Sequence, residues 1–261
     1  MKQRIITGVL GGVAFLSILY IGQIFLYLIV FLLALIGMYE LLKMKKYAIV
    51  SPTALYGFLV IGVLFVQYYL DYHFISNQGL IISLVIALII PVITKNKTTF
   101  EDMSFSFFGA LYIGLGFYSL FLVRTEMDFL FTLMVLLAVW ATDSGAYFTG
   151  YVFKGRGPKL WEAISPKKTV VGAIGGTIAS CLLVMAIAPA LQQSISFANQ
   201  LLLGTLIAVI GQLGDLVESA YKRSYGVKDS GNILPGHGGI LDRFDSLLFV
   251  FPIVYVIILY I

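Results

Sequence analysis

Long apolar runs dominate this sequence and leave few ways for it to fold. Each run is close to the roughly 20 residues that a helix needs to cross the hydrocarbon core of a bilayer. Only 11% of the 261 residues are charged, whereas soluble domains carry about 25%. The sequence therefore predicts an all-α, polytopic integral membrane protein with about nine transmembrane helices. We place these segments at residues 5–21, 24–42, 54–70, 79–94, 104–123, 129–150, 170–190, 200–218 and 246–261.

The first two segments form an almost continuous apolar stretch from Ile5 to Leu42. This stretch is too long for a single crossing. Gly22 and Gln23 interrupt it, and glycine is a common point at which helices end. We therefore expect one helix to end there and a second to begin.

Basic residues are distributed very unevenly among the loops that would connect the nine segments. If the N-terminus is cytoplasmic, all 17 lysines and arginines except Arg124 lie on the cytoplasmic side. Cytoplasmic loops of membrane proteins are enriched in Lys and Arg. We therefore expect an N-in, C-out orientation in the plasma membrane, with the two long loops, 151–169 and 219–245, facing the cytoplasm.

Residues that could carry chemistry are concentrated in the later part of the chain. Residues 1–100, with the first four segments, are predicted to be N-terminal membrane helices. Residues 101–261, with the last five segments and the two long loops, are predicted to be the catalytic membrane region. No internal repeat or linker indicates a separate soluble domain.

The stretch from Gln212 to Ser246 is the most polar part of the chain and lies between two apolar segments. Its acidic residues have helical spacing, so each set would share one helix face. Another carboxylate, Asp143, lies inside the sixth segment. Charge at membrane depth normally faces a cavity, a partner or an ion. We therefore expect one site that contains Asp143, Asp215, Glu218, Asp242 and Asp245.

Two short segments, one rich in glycine and the other rich in lysine, are typical of phosphate-binding sites. Gly238 and Gly239 allow backbone N–H groups to approach an anion closely. Lys167 and Lys168 precede the seventh segment, where we expect Ser165 to cap the helix and the helix N-terminus to attract phosphate.

Basic loops and buried carboxylates can share a phosphate site only if a divalent cation bridges them. Mg²⁺ commonly binds one or two carboxylates together with substrate phosphates. The residues thus predict metal-assisted phosphoryl or nucleotidyl transfer at the inner membrane surface. An ion-coupled membrane transporter is the alternative, because transporters also bury carboxylates. The polar residues cluster at one membrane face without an inverted repeat, which favours the enzyme.

Residues 219–223, 228–229 and 234–245 together resemble the signature of the phosphatidate cytidylyltransferase family. Asp143 to Tyr147, Ser165 to Thr169 and Gly214 to Ser219 also resemble family motifs. The resemblance implies a homodimeric enzyme of phospholipid biosynthesis that converts CTP and phosphatidic acid into CDP-diacylglycerol and pyrophosphate. It also implies Mg²⁺, a monovalent cation such as K⁺, membrane lipids as partners, and no nucleic acid. The aspartate motif of the CDP-alcohol phosphotransferases is absent.

Roles for individual residues follow from this reaction. We expect Asp215 and Asp242 to bind the metal, with Asp245, Glu218 and Asp143 as additional ligands. Lys222 and Arg243 are expected to act with Asp215 and Asp242 at the reacting phosphates. We expect His237 to shape its loop or contact a phosphate. The residues predicted to bind substrate are Ser165, Lys167, Lys168, Arg223, Lys228, His237, Gly238 and Gly239.

Overall fold

The computed structural model describes residues 2–259 apart from 71–72, 155–156, 192–194, 234–235 and 237, and for residues 2–7, 67, 69–70 and 73–77 it describes the backbone alone. Nine α-helices and one short hairpin form in the described residues. The helices are α1 (Lys2–Ile21), α2 (Gln23–Met44), α3 (Pro52–Leu70), α4 (His73–Ile93), α5 (Phe100–Glu126), α6 (Phe129–Val152), α7 (Val170–Ile187), α8 (Phe197–Ser224) and α9 (Leu241–Ile258). The hairpin strands, β1 (Lys159–Trp161) and β2 (Ser165–Thr169), lie between α6 and α7, and a 3-10 turn (Ala188–Ala190) follows α7.

Each predicted apolar segment corresponds to one of the nine helices, so the predicted helical membrane fold is confirmed at this level. Five helical stretches in the described residues are long and apolar enough to cross a membrane: α2, α5, α6, α8, and α7 with its 3-10 turn. Shorter apolar stretches lie in α1, α3 and α4. The chain is thus a multi-pass membrane protein. The count of nine crossings and the orientation stay predictions.

The predicted break between the first two helices is confirmed. Gly22 has a φ of 70° and Gln23 a φ of 47°. The left-handed region is readily open to glycine and costly for most other residues. The long apolar stretch from Ile5 to Leu42 is therefore divided at Gly22, the only glycine in it that a polar residue follows.

The hairpin corrects the prediction that Ser165 caps the seventh helix. Ser165 begins β2, and in the antiparallel pairing it faces Trp161. The helix begins at Val170, and its cap is Thr169, whose side chain accepts a hydrogen bond from the Gly172 N–H at 3.1 Å. Pairing extends the chain through Thr169, so this residue takes the capping position. The short two-stranded sheet is also a local departure from an all-α fold.

The chain divides into two compact units that are interleaved in sequence. The first comprises Met1–Phe121 and Val227–Asp242, and the second comprises Leu122–Gly226 and Arg243–Ile261. The division at residue 100 was predicted from where polar motifs begin, and it stays a prediction about function.

Aromatic and aliphatic side chains from α2, α3 and α5 form the core of the first unit. The Tyr27 hydroxyl donates to the Phe65 carbonyl at 2.8 Å, and the Tyr27 ring packs against the rings of Phe65 and Phe121. The Ser106 hydroxyl, which is buried in α5, donates to the Thr53 carbonyl at 2.6 Å. These pairings satisfy polar groups that burial would otherwise leave without a partner.

Small residues let α6 and α7 approach closely in the second unit. A Cβ added at Gly176 would stand 2.6 Å from the Thr142 carbonyl oxygen, and one at Gly145 would stand 2.6 Å from the Ala179 Cβ. Between α7 and α8, the Ser180 hydroxyl donates to the Gly204 carbonyl at 2.9 Å. Close backbone approach at small residues is a common way for helices to associate in membranes.

We predict that Gly176→Ala destabilises the protein, because its Cβ would meet a backbone oxygen of α6 that cannot move aside cheaply. Overpacking of this kind costs about 1–3 kcal/mol. Gly62→Ala in α3 is the matched control, since nothing lies within 4 Å of its added Cβ. Thermal unfolding of both variants in detergent should lower the midpoint for Gly176→Ala alone. Equal midpoints for the two variants would contradict this account of the close contact between α6 and α7.

Candidate active site

A cavity of about 440 Å³ opens in the second unit among α6, α7, α8 and the hairpin. Acidic and basic side chains share its wall, together with two tyrosines from α6. The charged and aromatic residues of its wall are Asp143, Tyr147, Tyr151, Lys167, Lys168 and Asp215. The structure thus brings together four of the residues that the sequence analysis selected.

An irregularity in the hairpin directs both lysines to this cavity. Lys159 pairs with Thr169 and Trp161 with Ser165, with a register shift between the two pairs. Three residues of β2 therefore oppose one residue of β1. Neighbours in a regular strand point to opposite faces, and a bulge changes that direction. Lys167 and Lys168 consequently both line the cavity, although they are adjacent in sequence.

The two lysines differ in their surroundings. Lys168 Nζ lies 2.6 Å from Asp215 Oδ2, and both side chains are partly buried. The Ser219 hydroxyl also donates to Asp215 Oδ1, at 3.2 Å. Lys167 is exposed and makes no hydrogen bond or ion pair with the part of the chain that the structure describes. Lys168 is thus held by a carboxylate, whereas Lys167 presents its charge to the cavity.

Three carboxylates of the second unit lie close enough to interact electrostatically. Asp143 interacts with Asp215, and Asp245 interacts with both. Lys168 opposes the charge of Asp143, and Lys222 opposes that of Asp245. Grouped like charges in a partly buried site favour a bound cation.

The residues present suit a cation that shares its ligands with a substrate. Among the described residues, no three His, Cys, Asp or Glu side chains form a ready metal-ligand group. Mg²⁺ characteristically takes one or two protein carboxylates and completes its octahedron with water and phosphate oxygens. Asp143, Asp215 and Asp245 offer enough carboxylate for that arrangement.

Glu218 and Lys222 form a buried ion pair one helical turn apart in α8. The Lys222 Nζ lies 2.6 Å from Glu218 Oε2, and the Glu218 side chain is only 2% exposed. The sequence analysis assigned these residues to a metal and to the reacting phosphates, respectively. Those roles stay predictions, and the structure adds that each compensates the other's buried charge. Removing one partner of such a pair is strongly destabilising.

Asp242 belongs to the first unit, where it organises the loop before α9. Its Oδ2 accepts hydrogen bonds from the Ser230 N–H at 2.8 Å and the Gly239 N–H at 2.8 Å, and it lies 3.0 Å from the Ser230 hydroxyl. Gly238 has a φ of 88°, and a Cβ there would stand 2.6 Å from the same oxygen. The glycines therefore let the backbone approach this carboxylate, and their predicted role in substrate binding stays a prediction.

The remaining predicted residues that the structure describes lie outside the cavity wall. Ser165 is half-buried at the start of β2 and is not among the described residues that line the cavity. His237 lies outside the described residues. The exposed basic residues are Arg223 in the last turn of α8, Lys228 in the loop that follows and Arg243 in the first turn of α9.

Sequence reasoning missed Glu40 and the capping role of Thr169. Glu40 is a buried carboxylate in α2 and is the only charged residue in the predicted segment 24–42. The rule that selected Asp143, namely that charge at membrane depth has a purpose, applies equally to Glu40.

Comparisons with known proteins give one consistent result. The sequence model described as "Cytidylyltransferase family" matches residues 2–261. A phosphatidate cytidylyltransferase of Bacillus subtilis (strain 168) is 40% identical, over 98% of this chain and 96% of the relative. A protein of the same name from Staphylococcus haemolyticus (strain JCSC1435) is 38% identical over 99% of both chains. Another, from Staphylococcus epidermidis (strain ATCC 12228 / FDA PCI 1200), is 39% identical over 99% of both chains.

Proposed function

Because this chain belongs to the cytidylyltransferase family over residues 2–261, we propose that it binds the phosphates of CTP in the cavity of its second unit. The activity is that of the full-length relatives: transfer of a cytidylyl group from CTP to phosphatidic acid, which gives CDP-diacylglycerol and pyrophosphate for phospholipid synthesis. The observation that supports the cavity as the site is the bulged hairpin, which directs two lysines towards a wall that contains Asp143 and Asp215.

The reaction needs positioning and charge compensation more than proton transfer. A phosphate oxygen of phosphatidic acid attacks the α-phosphorus of CTP, a new P–O bond forms, and the bond to the β-phosphate oxygen breaks to release pyrophosphate. The attacking oxygen is already ionised near neutral pH, so no strong general base is required. Lys167 contacts the phosphates directly in this proposal, and Lys168 links them to Asp215. Such preorganised charges act by orienting the reactants and by stabilising the charge that develops.

We assign Mg²⁺ to the carboxylates of the second unit, with Asp215 as the central ligand and Asp143 and Asp245 beside it. When bound there, the cation would offset the negative charge of the CTP phosphates. Asp242 as a further metal ligand is a proposal that rests on the sequence alone. A monovalent cation such as K⁺ is a further proposal that rests on the family resemblance.

The membrane arrangement that we propose has nine crossings, with the N-terminus in the cytoplasm and the active site facing the cytoplasm at the plasma membrane. The one-to-one match between predicted segments and helices supports the count, and the distribution of basic residues supports the orientation. We also propose that the protein is a homodimer, and this proposal rests on the family resemblance alone.

A pyrophosphate-release assay tests the function. Purified protein supplied with CTP, phosphatidic acid and Mg²⁺ should release pyrophosphate, and Asp215→Asn should lose most of this activity because it removes a carboxylate charge beside the phosphate site. Glu162→Gln, at an exposed position of the same hairpin, is the matched control and should remain active. Folded wild-type protein that releases no pyrophosphate would contradict the proposal. Ion movement into sealed vesicles without CTP use would then favour the transporter.

The two lysines should be separable by their kinetics. Loss of one charge-assisted contact costs about 1.5–3 kcal/mol, or roughly 10- to 100-fold. We expect Lys167→Ala to lower kcat/KM for CTP by that factor, and Lys168→Ala to lower it at least as much because Asp215 also loses its cation. Lys154→Ala, in the same loop but away from the cavity wall, should have little effect.

Arginine replacement sharpens this test, because a planar guanidinium does not substitute freely for a compact ammonium in a fitted phosphate site. Lys167→Arg should therefore recover only part of the lost activity. Unchanged kinetics in both alanine variants would show that the loop is only a solvated basic surface.

Cysteine labelling tests the orientation. In a Cys181→Ala background, which has no other cysteine, a cysteine at position 232 should be protected from a membrane-impermeant reagent applied to intact cells. A cysteine at position 195 should react with it. The reverse pattern would contradict both the count of crossings and the cytoplasmic location of the site.

A further inference from the structure

Glu40 is a buried carboxylate that the reaction as described above does not use. It lies in α2, its side chain is 1% exposed, and apolar residues surround it in sequence. An ionised carboxylate in such a position is costly unless hydrogen bonds compensate its charge. The structure supplies three donors to it, and all of them come from the segment that precedes and begins α9.

The donors are two backbone N–H groups and one hydroxyl. The Ile240 N–H donates to Glu40 Oε1 at 2.9 Å, and the Leu241 N–H donates to Oε2 at 3.0 Å. The Ser230 hydroxyl lies 3.1 Å from Oε2. The first N–H groups of a helix have no partner within the helix and carry partial positive charge. Glu40 therefore caps α9 from a position 200 residues earlier in the chain than Ile240.

Two glycines allow the loop to close around this carboxylate. A Cβ at Gly231 would stand 2.6 Å from Glu40 Oε1, and one at Gly239 would stand 2.5 Å from Oε2. Any side chain at either position would push the loop away from Glu40. The backbone at Gly231 and Gly239 thus lies directly against the Glu40 carboxylate.

Ser230 connects Glu40 to Asp242. Its hydroxyl lies 3.1 Å from Glu40 Oε2 and 3.0 Å from Asp242 Oδ2, so the two carboxylates share its single proton. Gly239 is next to Ile240 and donates to the same Asp242 oxygen at 2.8 Å. Glu40 and Asp242 thus hold the loop from two sides, and a change in one affects the donors of the other.

We propose that Glu40 is a positioning residue for cytidylyl transfer, and that it fixes Ser230, Gly231 and residues 238–241 so that Asp242 and the backbone of Gly238 and Gly239 are correctly placed. This proposal rests on the function proposed above. Glu40 acts through the loop and does not touch the substrates. Its loss should therefore impair turnover more than substrate binding.

The test uses Glu40→Gln, which keeps the size of the side chain but turns one acceptor into an NH₂ group that faces a donor. We expect kcat to fall at least about tenfold while KM for CTP changes less than about threefold. Glu101→Gln is the matched control, because Glu101 is an exposed carboxylate of the same unit. It should keep wild-type values of both constants.

Hydrogen exchange gives a readout that does not depend on activity. Without substrates, peptides that cover residues 238–242 should exchange at least about tenfold faster in Glu40→Gln, since the Ile240 and Leu241 amides lose their acceptor. Exchange in α6 should not change. Wild-type kcat in Glu40→Gln, or slow exchange at these amides, would overturn the proposal.

Ser230→Ala covers the case in which Glu40→Gln does not fold. It removes one donor without changing the charge, so a smaller fall in kcat with faster exchange in the same peptides would support the proposal. Wild-type kcat together with wild-type exchange would overturn it. If the wild-type protein released no pyrophosphate, the proposed function would fail, whereas the exchange measurement would still decide whether Glu40 holds the loop.

Discussion

An ionised side chain among apolar helices must meet compensating charge or hydrogen bonds, and this constraint shapes both units of the chain. The desolvation cost of a single buried ion amounts to several kcal/mol even after relaxation. Glu218 forms an ion pair with Lys222, and Asp215 forms one with Lys168. Glu40 accepts hydrogen bonds from two N–H groups at the start of α9 and from a hydroxyl. The acidic residues therefore fix the local structure around them as well as supply candidate ligands.

Compensation takes different forms in the two units. In the first unit, neutral donors surround Glu40 and Asp242, and their hydrogen bonds hold the backbone before α9. In the second unit, lysines oppose carboxylates that also interact with one another. A bound metal ion and substrate phosphates can replace these lysine–carboxylate ion pairs with little change in the net charge of the site. The second unit is accordingly the better suited to bind a charged substrate.

The helical fold could be predicted closely because apolar length is a local property of the sequence. Gly22 marked the first break, and every predicted segment matches a helix. The eighth segment was placed too short, since hydropathy falls where polar residues begin although the helix continues to Ser224. Basic residues in the last turn suit a helix C-terminus, which explains why the polar sequence remains helical there.

Several residues of the site could be predicted from the sequence, whereas their arrangement could be predicted only in part. Asp143, Asp215, Lys167 and Lys168 were selected from the sequence and line one cavity. The hairpin was missed because its strands are short and its register is irregular, and so the cap was assigned to Ser165 in place of Thr169. The partners of Glu40 could not be predicted, because they lie about 190 to 200 residues further along the chain. No local pattern in the sequence reports such a contact.

The bulge in β2 makes chain length a determinant of the charge inside the cavity. Since three residues occupy the span between Ser165 and Thr169 opposite one residue of β1, the excess residues allow two adjacent side chains to share a direction. Removing the two excess residues would return the pairing to a regular strand, with one residue in this span in place of Pro166, Lys167 and Lys168. The number of residues between Ser165 and Thr169 thus limits the positive charge that this wall can offer to a polyanion, because a regular pairing leaves room there for one residue and so for at most one of the two lysines.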